Sequence, residues 1–240
     1  MNCRVRHDKK ENMSHNVNEM PAILFAGGHS VDYEILEKVT RPVFMKKKNP
    51  RVAYIGAANG DRTAFFDNLN AILLQVGAAD VAFVKLAREV VDTDAARETL
   101  ERADIIFFSG GEVEDGINWI KRHGLTECLR EQHRLGKQFL GISAGTIMIG
   151  AYWVRWDTPG DDGTAELFEC LGLVPATFDT HAEDEDWIEL KTALRLMGDG
   201  ARGYGVPRGG IISADSDGNL TNIAGEYLTY TYKDGEFIIS

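Results

Sequence analysis

The sequence predicts an α/β protein: a three-layer, doubly wound and mostly parallel sheet with helices on both faces. Short apolar runs rich in β-branched residues alternate with segments of helical periodicity along most of the chain. Most of these runs end at glycine or another small residue, as strands of a parallel sheet do before a helix. From Gly203 to Ser240 the pattern changes to short extended runs separated by turn sequences, which predicts a small antiparallel extension.

The predicted elements of the parallel part follow one another closely. After the second strand, Phe65, Leu69, Ile72 and Leu73 recur at helical spacing before Gly77, which is a typical helix stop. The predicted strands are Ala22–Ala26, Arg51–Gly56, Val81–Lys85, Asp104–Phe108 and Gln138–Ile142. The predicted helices are Asp61–Val76, Asp92 or Thr93 to about Arg102, Val113–Arg122 and Leu125–Leu135.

The C-terminal region is predicted to contain four short strands, with Asp217-Gly218-Asn219 and Lys233-Asp234-Gly235 as turns. Their predicted bounds are Ile211–Ala214, Leu220–Ile223, Tyr227–Tyr232 and Phe237–Ile239. No linker, repeat or low-complexity stretch divides residues 20–240, so they are expected to form a single domain. Residues 1–19 are polar and lack an apolar run, which predicts a disordered N-terminal extension.

Composition restricts the class of partner. The 240 residues carry a formal net charge of −11, which disfavours nucleic acid or an anionic membrane as a main partner, because both select a basic surface. The cysteines at positions 3, 128 and 170 show no C-x-x-C spacing, so neither a disulfide framework nor a zinc site is indicated. No apolar run approaches the roughly 18 residues of a membrane span. A cytoplasmic protein, monomeric or homodimeric, that acts on a small molecule is expected.

The segment Gly141-Ile142-Ser143-Ala144-Gly145 has the G-x-S-x-G pattern of a nucleophile elbow. It follows an apolar strand and precedes a run compatible with a helix. Such a turn raises the serine Oγ above the carboxyl end of the sheet, at a helix N-terminus where backbone N–H groups can stabilise an oxyanion. The alternative is a tight strand-to-helix turn with a structural serine.

A second glycine-rich turn, Ser109-Gly110-Gly111-Glu112, follows the fourth predicted strand. Carboxyl ends of parallel strands meet at one crevice, so this turn is expected near Ser143. The backbone N–H groups of Gly110 or Gly111 could form one arm of an oxyanion hole, with the Ala144 N–H as the other. A tight turn without a ligand is the alternative, and the same two interpretations apply to Gly27-Gly28 and Asn59-Gly60.

A serine nucleophile needs a base, usually histidine, and a carboxylate to orient it. His181 follows a short extended run and therefore lies near a strand end, where such a base is expected. His29 follows Gly28 and could line the crevice, whereas His123 and His133 lie in polar, helical sequence. For the acid, Asp157 follows the elbow helix, and Asp179, Glu183 and Asp184 are close to His181 in sequence; spacing alone does not choose among these four carboxylates.

Taken in order, these residues resemble the dipeptidase E / cyanophycinase family of serine peptidases. The resemblance covers about Pro21 to Val206, and its most specific motif is the G-x-S-A-G elbow. The similar places are Ala26-Gly27-Gly28, Tyr54-Ile55-Gly56-Ala57-Ala58, Phe108-Ser109-Gly110-Gly111, Gly141-Ile142-Ser143-Ala144-Gly145, and Leu171-Gly172-Leu173-Val174-Pro175 leading into Asp179-Thr180-His181. That family carries its serine on a class I glutamine amidotransferase-like fold, flavodoxin-like in its layers, and this fold is therefore expected.

The resemblance implies a catalytic triad of Ser143, His181 and Asp157, and hydrolysis of short peptides without a cofactor or metal. Dipeptidase E prefers an N-terminal aspartyl residue, which a basic group such as Arg155 or Arg208 would have to hold. Glu112, Arg155 and His29 are the candidate substrate-binding residues. The acidic run from Glu183 to Asp186 departs from the family pattern and would instead suit a free amino group or a basic side chain, or it is a solvated helix start.

Two other functions fit the same pattern. One is a cyanophycinase-like isopeptidase or amidase, and the other is a catalytically inactive, ligand-binding protein of the same fold. A glutamine amidotransferase is disfavoured because Ser143 occupies the position where that chemistry needs cysteine. A dinucleotide-binding protein is disfavoured because no G-x-G-x-x-G motif occurs.

Overall fold

The computed structural model describes residues 22–25, 33–158, 160–215 and 217–240. Its strands are β1 (Ala22–Phe25), β2 (Arg51–Ile55), β3 (Asp80–Val84), β4 (Ile105–Phe108), β5 (Gln138–Ile142), β6 (Tyr152–Trp156), β7 (Ala165–Glu169), β8 (Thr177–Thr180), β9 (Arg202–Val206), β10 (Ile211–Ala214), β11 (Leu220–Ala224), β12 (Leu228–Lys233) and β13 (Glu236–Ile239). Its α-helices are α1 (Tyr33–Phe44), α2 (Thr63–Val76), α3 (Thr93–Arg102), α4 (Val113–Arg122), α5 (Thr126–Arg134), α6 (Ala144–Ile149) and α7 (Ile188–Met197).

A central sheet of seven strands organises these described residues, in the order β11-β10-β1-β5-β4-β2-β3. Strands β1, β5, β4, β2 and β3 are parallel to one another. Strands β10 and β11 are added antiparallel at the β1 edge. Because β5 and β4 are neighbours in this sheet, the Ser143 elbow and the Ser109-Gly110-Gly111 turn leave the same edge side by side. The mostly parallel, doubly wound sheet predicted from the sequence is therefore confirmed.

Alternating side chains of the central strands enter two different cores. Ile106 and Phe108 of β4 belong to one buried cluster with residues of α3, α4, α5 and α6. Ile105 and Phe107 belong to another, with residues of α1 and α2. Since successive strand residues point to opposite faces, a run of four apolar residues is required wherever helices cover both faces. Burial on this scale, at about 25 cal/mol per Å² of apolar surface, is the main force that holds the three layers together.

The remaining strands build a second sheet and a hairpin. The second sheet has the order β13-β12-β9-β8, with β8 and β9 parallel and the other pairs antiparallel. A hairpin of β6 and β7 follows α6 directly. The predicted C-terminal strands are all present, but they divide between the two sheets: β10 and β11 extend the central sheet, whereas β12 and β13 join β9.

Several sequence predictions concern residues outside the described ranges. These are the disordered extension at residues 1–19, the Gly27-Gly28 turn and His29. Among the helices of the described ranges, none combines the length and the apolarity that crossing a bilayer requires.

Candidate active site

Ser143 stands at the sharp turn between β5 and α6. Its backbone has φ 54° and ψ −123°, a conformation that costs an ordinary residue on the order of 1–3 kcal/mol and is found mainly at functional sites. The turn passes very close to β4, since a Cβ placed on Gly145 would lie 2.3 Å from the Phe108 carbonyl oxygen. The elbow predicted from the sequence is therefore present, and its second glycine is required by contact with the backbone of β4.

His181 meets this serine from the other sheet. It follows β8 directly, its backbone N–H donates to the Val206 carbonyl at 2.9 Å, and its own φ is 46°. Its Nε2 lies 2.7 Å from the Ser143 Oγ. With the imidazole proton on Nδ1, the serine hydroxyl donates to Nε2, which is the arrangement needed for general-base activation.

The Ser109-Gly110-Gly111 turn lies against the serine. A Cβ on Gly110 would approach the Ser143 Cβ to 3.2 Å and its Oγ to 3.6 Å. Gly111 has φ +143°, and a Cβ there would lie 2.1 Å from the Ala58 carbonyl oxygen. That carbonyl accepts a hydrogen bond from the Glu112 N–H at 2.7 Å. The turn therefore has no space for a side chain at Gly111 and little at Gly110, and its backbone comes within a few ångströms of Ser143.

Asp157, the acid that the resemblance assigns to the triad, makes no hydrogen bond to His181 within the described ranges. Asp157 lies just beyond the end of β6 and is exposed. A carboxylate that orients a catalytic histidine is normally buried and bonded to Nδ1, so the geometry of Asp157 gives no support to that role.

Asp179, two residues before His181, is buried, and Glu189 of α7 is partly buried. Asp179 is 3% exposed and accepts the Thr180 N–H at 2.7 Å, while its second oxygen has no partner among the described residues. Burial raises the pKa of Asp179 to about 7, with a further contribution from Glu189. Glu189, in the first turn of α7, accepts the Trp153 indole N–H at 2.6 Å. Burial raises the pKa of Glu189 as well, and Glu185 and Glu112 add to the effect.

The basic groups predicted to hold a substrate carboxylate are engaged elsewhere. Arg155 makes ion pairs with Glu114, at 3.0 Å, and with Glu166. Arg208 pairs with Asp184 at 2.8 Å. Glu112, the acidic residue among the substrate-binding candidates, precedes α4 as its exposed N-cap residue. Both arginines that the sequence offered for a substrate carboxylate are thus already paired with carboxylates of the protein.

Sequence reasoning missed two pairings that lie close to the site. The Trp153–Glu189 hydrogen bond joins residues 36 positions apart, and no local pattern marks either one. Asn59 was recognised only as part of a turn, although its buried side chain bonds to Ser109 and Gly110. A polar residue at a strand end next to small residues is the signal that could have identified it.

Comparison with known proteins assigns the chain to a family. The model of peptidase family S51 matches residues 8–219. This chain belongs to peptidase family S51. The S51 match includes both the elbow serine and His181, and it agrees with the resemblance described from the sequence.

Curated relatives and a solved structure support the S51 assignment. Peptidase E of Streptomyces coelicolor is 30% identical over 138 residues, which cover 57% of this chain and 53% of that protein. An uncharacterized peptidase of Listeria innocua is 29% identical over 113 residues, or 43% and 54% of the two chains. The chain thus spans about half the length of these relatives. The crystal structure of a peptidase from an acI-B1 actinobacterium has a TM-score of 0.70 at 17% identity, covering 91% of this chain and 93% of that one, and it shows the shared fold.

Proposed function

We propose that this protein is a serine peptidase that hydrolyses short peptides, with Ser143 as nucleophile and His181 as general base. The observation that carries the proposal is the 2.7 Å separation of Ser143 Oγ and His181 Nε2 at a strained elbow. A strained serine within hydrogen-bond reach of an imidazole is the combination that nucleophilic catalysis requires. Family membership, established from residues 8–219, agrees with this chemistry.

The proposed reaction proceeds in two steps. Ser143 Oγ attacks the scissile carbonyl while its proton passes to His181 Nε2, and the oxyanion receives hydrogen bonds from the N–H groups of Gly111 and Ala144. The C–N bond then breaks as His181 protonates the leaving amine. Water adds to the acyl-enzyme with His181 again as base, which regenerates the serine. No step requires a cofactor.

The orienting acid of the triad is left out of this proposal. The resemblance gives that role to Asp157, but the carboxylate is exposed and makes no hydrogen bond to His181 within the described ranges. The proposal therefore rests on the serine–histidine pair and on the two backbone donors.

The charges around the site favour a second candidate substrate class over Asp-X dipeptides. An N-terminal aspartyl side chain would need a free cation, yet Arg155 and Arg208 are both held in ion pairs. Glu112 and Glu189 are close enough for the first to raise the pKa of the second. A substrate with a basic side chain or a free amino group, including the branched aspartyl-arginine unit of a cyanophycinase-like isopeptidase, would relieve this excess of negative charge.

The test combines two variants with a substrate panel. Asp-X dipeptides, dipeptides with an N-terminal Lys or Arg, and β-aspartyl-arginine are offered to the wild type and to Ser143→Ala and His181→Ala. We expect a loss of kcat of at least about 10³-fold in both variants. His123→Gln is the control, because the His123 ring instead bonds to the Leu86 and Arg88 carbonyls. A Ser143→Ala protein that turns over any of these substrates at the wild-type rate refutes the proposal.

A fluorophosphonate probe distinguishes an inactive, ligand-binding protein from an enzyme whose substrate is missing from the panel. Labelling of Ser143 that disappears in His181→Ala supports the activated nucleophile. If a correctly folded wild type gives no adduct and cleaves no substrate, the ligand-binding alternative is favoured.

A further inference from the structure

A buried amide joins the ends of two neighbouring strands beside the elbow. Asn59 is the last residue of the short 3₁₀ turn Ala57–Asn59 that follows β2, and only 8% of it is exposed. Its Nδ2 donates to the Ser109 Oγ at 2.8 Å and to the Gly110 carbonyl at 3.2 Å. Its Oδ1 accepts the Arg62 N–H at 3.1 Å. Both ends of the amide are therefore in use, which fixes its orientation.

The backbone supports the same contact between turns. The Glu112 N–H donates to the Ala58 carbonyl at 2.7 Å, and the Ser109 N–H donates to the Ile55 carbonyl at 3.1 Å. Gly111 lies directly against Ala58. The turn after β4 is thus held on one side by the turn after β2, and on its other side it lies against Ser143.

The bond from Asn59 to the Gly110 carbonyl has a directional effect. The Gly110 carbonyl and the Gly111 N–H belong to one planar peptide unit, and no cis peptide occurs in the described residues. In a trans peptide the N–H points opposite to the C=O. A donor that holds the carbonyl on the Asn59 side therefore holds the Gly111 N–H pointing away from Asn59.

This restraint matters because the unit lies between two glycines. Glycine adopts many backbone conformations at low cost, so a peptide plane flanked by Gly110 and Gly111 can rotate readily unless something holds it. Rotation would replace an N–H donor in the oxyanion hole by a carbonyl oxygen, which repels the developing negative charge.

We propose that Asn59 is a positioning residue that fixes the Gly110–Gly111 peptide plane and so aims the Gly111 N–H into the oxyanion hole. Asn59 acts through the backbone and touches no reacting atom. The inference rests on the proposed function, because it assumes that the Gly111 N–H binds the oxyanion formed by attack of Ser143.

The test measures kcat and KM separately for Asn59→Ala and Asn59→Asp, with the best substrate of the dipeptide panel. Asn59→Asp keeps an oxygen that can accept the Arg62 N–H, but it removes the N–H donors to Ser109 and Gly110. This variant tests the positioning role if Asn59→Ala fails to fold. We expect kcat to fall by about 10- to 100-fold while KM changes less than threefold, because the lost interaction is made in the transition state. The aldehyde analogue of that substrate forms an adduct whose oxygen occupies the oxyanion hole. Its inhibition constant should rise by the same factor by which kcat/KM falls.

Asp61→Ala is the matched control. Asp61 belongs, like Asn59, to the turn after β2, and it restrains that turn by accepting the Ala87 N–H at 2.6 Å. Among the described residues, no hydrogen bond joins Asp61 to Gly110. Asp61→Ala should lower thermal stability and leave kcat within about twofold of wild type. Equal losses of kcat in the Asp61 and Asn59 variants would indicate general destabilisation and overturn the inference.

The result for Ser143→Ala separates the two levels of the proposal. If Ser143→Ala is inactive and an Asn59 variant keeps the wild-type kcat and aldehyde affinity, the positioning role is refuted and the peptidase function stands. If Ser143→Ala keeps full activity, the proposed function fails and the inference fails with it.

Discussion

Replacing Gly111 by alanine should disable the site without unfolding the protein. The added Cβ would lie 2.1 Å from the Ala58 carbonyl oxygen, whereas side-chain Cβ atoms essentially never approach closer than 3.0 Å. The turn must therefore move by at least 3.0 − 2.1 = 0.9 Å. A misplacement of about 1 Å in a catalytic group costs about 10²-fold in rate, or about 2.7 kcal/mol of transition-state stabilisation.

Gly60→Ala provides the matched comparison for this prediction. Gly60 has φ +70°, but its Cβ would meet no atom within 4 Å, so the variant has the conformational cost of an alanine at positive φ without the displacement. That cost is about 1 kcal/mol, which lowers Tm by about 2–4 °C in a chain of this size. Gly111→Ala should lower Tm by more than Gly60→Ala and reduce kcat/KM about 100-fold, whereas Gly60→Ala should keep kcat/KM within threefold.

The assay combines thermal unfolding by circular dichroism with steady-state hydrolysis of the best panel substrate. If Gly111→Ala and Gly60→Ala have the same kcat/KM, then the position of the glycine turn does not limit the reaction. The steric reasoning about the oxyanion hole would then be wrong, even if the serine–histidine pair is catalytic.

Two further predictions concern the carboxylates of Asp179 and Asp157. Burial raises the pKa of Asp179 to about 7 from an ordinary 3.8. Between about pH 4 and pH 7 the folded state therefore keeps a proton that the unfolded state loses. The contribution of this carboxyl to the free energy of unfolding thus falls as pH rises through that range. The free energy of unfolding of Asp179→Asn relative to wild type should therefore increase by up to about 4 kcal/mol across that range and stay level above it; a difference independent of pH in urea titrations refutes this. Asp157→Asn should keep kcat/KM within about fivefold, because the exposed carboxylate makes no bond to His181 in the described structure; a loss above about 10³-fold would show that Asp157 is the orienting acid after all.

Local patterns were sufficient to predict most of the fold. Strand β4 is apolar at every position because helices cover both of its faces. Helix α3 begins at Thr93, and its N-cap residue Asp92 accepts the Ala95 N–H at 2.9 Å. The bounds of β2, α4 and β5 agree with the sequence to within one residue.

Pairing between distant segments was beyond the reach of those patterns. Strands β10 and β12 were both predicted as short extended runs, and that pattern does not show that β10 joins the central sheet and β12 joins β9. The β6–β7 hairpin was not predicted. Without it, Asp157 could not be placed relative to His181. The burial of Asp179 could not be predicted either, because the exposure of a carboxylate depends on all the elements packed around it.

Because the proposed nucleophile and the proposed base belong to different sheets, the geometry of the candidate active site depends on how those sheets pack together. Ser143 moves with β5, and His181 moves with β8, while α6 packs against both. A slide of one sheet past the other by a single ångström would stretch the 2.7 Å contact beyond hydrogen-bond length. Substitutions far from the crevice, wherever α6 contacts β8, should therefore abolish the proposed activity while leaving each sheet intact. Catalytic competence should accordingly disappear earlier than secondary structure as denaturant is added.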